Sequence, residues 1–166
     1  PEGSADVWVK ATDLAGNESA VASRSFVIDH GAPVIEVEAA FDGAVYKNAA
    51  FSIGGTVSDG NLGADPIAVT AKKGGAAHAL TGAFTYGAGS WSQVVNIDGS
   101  GVYEITVTAT DSLNRTSSAT RSVTVDLTLP TLEITSVLPI LPGAEVNGKV
   151  TLSANASDAN GLLGVK

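Results

Sequence analysis

The side chains best equipped for chemistry in this sequence are aspartates and asparagines in short polar runs. Asp59-Gly60-Asn61, Asp111-Ser112-Leu113-Asn114 and Asp158-Ala159-Asn160 each set a carboxylate two or three residues ahead of an amide. Asp29 and Asp126 stand just ahead of Pro33 and Pro130. Carboxylate and amide oxygens are what hard divalent cations take as ligands, about six to eight at a time for the larger ones. The same residue types also cap turns, because they accept nearby backbone N–H groups and tolerate left-handed backbone. The sequence supports both readings.

Other chemistry is sparse. Cysteine is absent, which excludes a disulfide framework and a thiolate metal site. His30 and His78 are the two histidines, and neither lies near a Ser/Asp motif of triad character. Glu36 and Glu38 share a parity on one short strand and read as solvated charge. Glycoside hydrolysis needs two carboxyls across a cleft. The Gly-rich stretches lack the following helix and Lys-Ser/Thr of a phosphate loop. The chain is therefore expected to have no catalytic residues of its own. A net charge of −8 disfavours nucleic acid and anionic membrane as partners. No apolar run approaches membrane-spanning length, so no insertion is expected in this segment. With 44% apolar and 16% charged residues the composition is that of a folded chain. It begins at Pro1 without an initiator methionine and reads as an internal piece of something longer.

The elements that must position these residues are visible through an internal repeat. Val9-Lys10-Ala11-Thr12-Asp13 recurs as Val107-Thr108-Ala109-Thr110-Asp111, and Arg24-Ser25-Phe26-Val27-Ile28-Asp29 as Arg121-Ser122-Val123-Thr124-Val125-Asp126. Pro33 then matches Pro130, Ile35-Glu36-Val37 matches Leu132-Glu133-Ile134, and Val57-Ser58-Asp59 matches Ala156-Ser157-Asp158. The offset is 97 to 99 residues throughout. That length fits one immunoglobulin-like sandwich of roughly 100 residues and is too long for a solenoid repeat. The expected fold is all-β: immunoglobulin-like Greek-key β-sandwich modules in tandem. One complete module spans 32–129. Residues 1–31 are the last strands of a preceding module, and 130–166 the first strands of a following one.

Within the complete module, alternating apolar residues predict strands at Val34–Val37, Phe51–Val57, Ile67–Ala71, Trp91–Ile97, Tyr103–Ala109 and Thr120–Val125, with weaker signals at His78–Leu80 and Phe84–Tyr86. Tyr103 stands at the start of the penultimate strand, where a tyrosine corner bonds upstream backbone. Trp91 reads as a core or rim anchor, with sugar stacking as the sharper alternative. Trp8 falls on the outward parity of its strand.

The run Ala11-Thr12-Asp13-Leu14-Ala15-Gly16-Asn17-Glu18-Ser19, followed by Val27-Ile28-Asp29 and Ala32-Pro33, resembles the bacterial Ig-like repeats of large surface and secreted adhesins. The stretch from Trp91-Ser92 through Gly101-Val102-Tyr103 to Asp111 is similar to the same repeats. The second copy, Asp111-Ser112-Leu113-Asn114, departs from them by lacking the Ala-Gly ahead of Asn17. The resemblance implies a stalk of modules joined end to end and stiffened by calcium at or near the junctions. Strand direction alternates in such a sandwich, so Asp59, Asn61, Asp111, Asn114 and Asp29 all belong at one pole. Asp126, Asp158 and Asn160 form the equivalent set at the next junction, its last member expected beyond Lys166. Calcium suits either set, and turn capping remains the alternative.

As an extracellular or cell-surface spacer, the chain would have its neighbouring modules as partners, and a distant tip would engage a host protein or glycan. Two further readings stand beside the spacer. One is a module that itself binds carbohydrate or a host protein. The other is an accessory array on a secreted polysaccharide-degrading enzyme.

Overall fold

The computed structural model describes residues 2–138, 145 and 147–165. Its strands run in chain order as β1 (Gly3–Val9), β2 (Ala22–Ile28), β3 (Val34–Val37), β4 (Val45–Tyr46), β5 (Ala50–Ser58), β6 (Leu62–Lys73), β7 (Ala76–His78), β8 (Phe84–Gly87), β9 (Ser90–Asn96), β10 (Gly101–Asp111), β11 (Thr116–Val125), β12 (Thr131–Leu138) and β13 (Thr151–Ser157). Among the described residues the helical piece is a single 3₁₀ turn at Ala39–Phe41, and no helix is long and apolar enough to cross a membrane.

Two sheets form a sandwich. One has the order β3-β5-β9-β8, the other β4-β11-β10-β6-β7. The chain changes sheet between β3 and β4, β4 and β5, β5 and β6, β7 and β8, and β9 and β10, which is the Greek-key route expected of an immunoglobulin-like module. β10 shows why. Tyr103, Ile105, Val107 and Ala109 are at most 1% exposed, whereas Glu104 between them is exposed. Val37 of β3, Phe51 and Ile53 of β5, Ala71 of β6, Trp91 and Val95 of β9 with the following Ile97, and Val123 and Val125 of β11 complete the core. Each such side chain contributes roughly 1.5–3 kcal/mol when taken out of water.

Gly55 interrupts the apolar parity of β5 for a steric reason. A Cβ there would lie 1.9 Å from the Glu36 carbonyl oxygen, so only glycine lets β3 pair this closely with β5. Tyr103 makes the expected corner, its Oη donating to the Gly99 carbonyl at 2.8 Å. Trp91 is 3% exposed and belongs to the core, which removes it as a sugar platform. Trp8 is 65% exposed on β1.

β7 lies at Ala76–His78 rather than His78–Leu80, and β11 begins at Thr116 rather than Thr120; β6 and β4 differ further from the sequence reading. β6 extends to Leu62, well before Ile67, although Gly63-Ala64-Asp65-Pro66 has no strand pattern. Pairing with β10 across a bulge between Ala109 and Asp111 holds it extended. β4 is too short to show a period. It runs parallel to β11, and Tyr46 stacks on Phe51 with ring centroids 4.0 Å apart.

The outer hairpins repeat the inner registers. β1–β2 pairs Gly3 with Ile28 as β10–β11 pairs Gly101 with Val125. β12–β13 pairs Thr131 with Ser157 as β3–β5 pairs Val34 with Ser58.

Candidate cation site at the sandwich pole

Asp111 ends β10 and opens the tight turn into β11. Its residue is 3% exposed, and Oδ1 accepts the N–H groups of Leu113 and Arg115, both at 2.8 Å. The turn closes on itself, Asp111 N donating to the Arg115 carbonyl at 3.0 Å and Asn114 N to the Asp111 carbonyl at 3.2 Å. Asn114 takes the left-handed backbone this needs, with φ +64°.

Asp59 follows β5, and its Oδ1 accepts Asn61 N–H at 2.7 Å. The Asn61 carbonyl in turn accepts Ser112 N–H at 2.9 Å, so the β5–β6 and β10–β11 turns are tied together. Asp29 lies on the segment that leads from β2 into β3, and its Oδ1 accepts Gly31 N–H at 3.0 Å. Ser117 Oγ donates to the carbonyl of buried Pro33, which seats the same segment on β11. The result is three carboxylates, Asp29, Asp59 and Asp111, with ligand oxygens all within 4.8 Å of one another. Alternating strand direction brings them to one pole, as their sequence positions suggest.

A cation already stands among them. Arg115 Nε donates to Asp111 Oδ2 at 2.8 Å, and Nη2 lies 2.7 Å from Asp29 Oδ2. The Asp29 contact is ionic rather than a well-aligned hydrogen bond, since neither of its two buried atoms has a hydrogen-bond partner. The Asp29 side chain is only 10% exposed and that of Asp111 is fully buried. Burial pushes the Asp111 carboxyl up. The N–H groups of Arg115 and Leu113 and the adjacent guanidinium outweigh it and hold the group below its ordinary value. Arg115 is likewise drawn down by burial and raised further by Asp29 and Asp111, so it stays charged.

A carboxyl depressed in the folded state contributes stability above its unfolded pKa of about 4, and that contribution is lost as pH falls through the folded value. The chain is therefore expected to lose melting temperature progressively below about pH 4, and Asp111→Asn to flatten that acid limb. Thermal melts at stepped pH values check this, and an unchanged acid limb in the variant would contradict it.

The hydrogen bonds of the two turns pair their residues differently from residue type. Asp13 Oδ1 accepts Ala15 N–H at 2.9 Å and Asn17 N–H at 2.8 Å, and Asp13 Oδ2 accepts Asn17 Nδ2 at 2.8 Å. Superposing the hydrogen bonds matches Asn17 with Arg115, four residues after the aspartate in each turn. Asn114 instead matches Gly16, and both have positive φ (+64° and +88°). Asn114 is exposed, and its side chain makes no hydrogen bond among the described residues. Arg115 is the residue that sequence reasoning missed. The spacing from Asp13 to Asn17, laid on Asp111 without a gap, is the signal that finds it.

At the other pole, Asp126 Oδ1 accepts Thr128 N–H at 3.0 Å, and Asp158 Oδ1 accepts Asn160 N–H at 2.8 Å. The Thr128 hydroxyl and N–H, and then the Asn160 side chain, hold the Asp126 carboxyl below its ordinary value. Among the described residues no ion pair reaches Asp126 or Asp158.

No family model and no curated protein sequence matches the chain. Solved structures do resemble it at a distance. An engineered protein is 23% identical over 57% of this chain and 20% of its own, with a TM-score of 0.46. The fibronectin(III)-like modules of Clostridium thermocellum CbhA are 18% identical over 77% and 64%, with a TM-score of 0.43. A chimeric titin Z1Z2 is 17% identical over 75% and 62%, with a TM-score of 0.39. The chain thus spans a fifth of the first and under two thirds of the other two. The sandwich assignment rests on strand order and core, not on these likenesses.

Proposed function

We propose that the chain is a structural spacer, a run of sandwich modules in the stalk of an extracellular or cell-surface bacterial protein of the adhesin type. Residues 1–31 would close a preceding module, 32–129 form one whole module, and 130–166 open the next. The repeated hairpin registers support that division. The observation that carries the reading is the joint itself. The segment leaving β2 is bound to the pole of the sandwich through Asp29, Arg115 and Asp111, where a flexible tether would be left in solvent. A spacer transmits position only if its joints resist bending. On this reading the partners are neighbouring modules of the same chain, and whatever host protein or glycan is engaged is engaged by a distant tip.

Calcium belongs to this reading at the second pole. Asp126, Asp158 and Asn160 supply hard oxygens there with no side-chain cation paired to them among the described residues.

A glycan-binding module is the second reading, and Trp8, the most exposed aromatic among the described residues, favours it. Titration calorimetry of the chain against soluble polysaccharides separates the two. The spacer gives no saturable heat. A saturable heat abolished by Trp8→Ala would replace the spacer with a binding module.

A further inference from the structure

We propose that Arg115 is a built-in cation that takes the place of a divalent metal at the first joint, so that this joint is ordered without calcium. The fifth residue of the Asp-led turn decides which kind of joint forms.

Three clustered carboxylates and nearby amide groups are ligands a hard cation would take. Here each carboxylate oxygen except Asp59 Oδ2 already faces an N–H group or the guanidinium. A divalent ion on the same oxygens would sit against a like charge held about 3 Å away from them, and that repulsion disfavours the metal. The guanidinium is suited to this place because its planar donors reach two carboxylates at once and it stays protonated.

The second observation is independent and comes from the preceding copy. The turn Asp13 to Asn17 has the same backbone hydrogen bonds and the same left-handed fourth residue. Its fifth side chain, an amide, reaches the same carboxylate oxygen that Arg115 reaches in the second copy. One frame therefore accepts either a neutral amide, which adds an oxygen ligand and no charge, or a cation. With the amide, three carboxylates at the pole would be left without a counter-charge and would need a metal. This inference concerns how the joint is neutralised. It rests on the ordered joint of the spacer reading: a mobile joint ends both, whereas an ordered joint that calcium stabilises with Arg115 in place ends this inference alone.

The test uses the whole chain carrying Asp126→Asn and Asp158→Asn, so that any calcium effect reports the first joint alone. With Arg115 in place, the melting temperature is expected to be equal in EDTA and in millimolar calcium, with no saturable heat. Adding Arg115→Asn is expected to lower the melt in EDTA and to restore it in calcium, with affinity in the range of about 0.1–1 mM common for extracellular modules. Two results overturn the proposal. One is stabilisation by calcium with Arg115 intact that Asp59→Asn removes. The other is an Arg115→Asn chain that calcium fails to restore. If that variant does not fold in EDTA, the comparison with Arg115 intact decides alone.

Discussion

The Arg115→Ala chain is expected to melt about 5–10 °C below the wild type at neutral pH. Removing the guanidinium leaves Asp29, Asp59 and Asp111 within 4.8 Å of one another with no counter-charge, and Asp111 is buried. Losing one partner of a buried pair is worse than never having had the pair, because the remaining charges stay desolvated. Two accompanying signs identify the cause. Acidifying toward pH 4 narrows the gap to wild type, since protonating a carboxyl relieves the repulsion. Amide exchange at Gly31, whose N–H is bonded to Asp29, becomes faster than in the wild type. A melt within about 1 °C of wild type would mean the ion pairs contribute no more than exposed ones do.

Trp91→Ala is expected to cost about 3–5 kcal/mol in urea denaturation. The indole is 3% exposed and packs among Val37, Ile53 and Val95 in the core, so truncation loses its transfer energy and leaves a large cavity. Such a cost is a large share of the roughly 5–15 kcal/mol that small domains have in hand. Trp8 remains as a fluorescent reporter in the variant, and its exposure makes its emission that of a hydrated indole. Wild-type fluorescence is expected to carry an additional blue-shifted component from Trp91. A variant as stable as the wild type would place Trp91 outside the core.

These expectations draw on features that the sequence displayed unequally. The strands with an alternating pattern, β5, β9 and β10, were legible because one face of each is buried and period two records that directly. The repeat offset made the polar convergence of Asp29, Asp59 and Asp111 legible as well, since strand direction follows from strand order. β4 and the first half of β6 were not legible. Their extension is imposed by partners far away in sequence, and Gly63 to Pro66 have no β preference of their own. Arg115 was missed for a different reason. Asn114 shares its residue type with Asn17, and matching by type hid the fact that backbone conformation matches Asn114 with Gly16. The chemistry of the site turned on that one-residue difference, which replaces a neutral ligand by a cation.

The central claim is an ordered joint locked by Arg115 in the absence of metal. Its most direct test is backbone ¹⁵N relaxation of the wild-type chain in EDTA, read at Asp29 to Ala32. The lock requires order parameters near those of the sandwich strands, about 0.85, with no change when calcium is added. Values below about 0.6 in EDTA, or a joint that becomes ordered only in calcium, would contradict it.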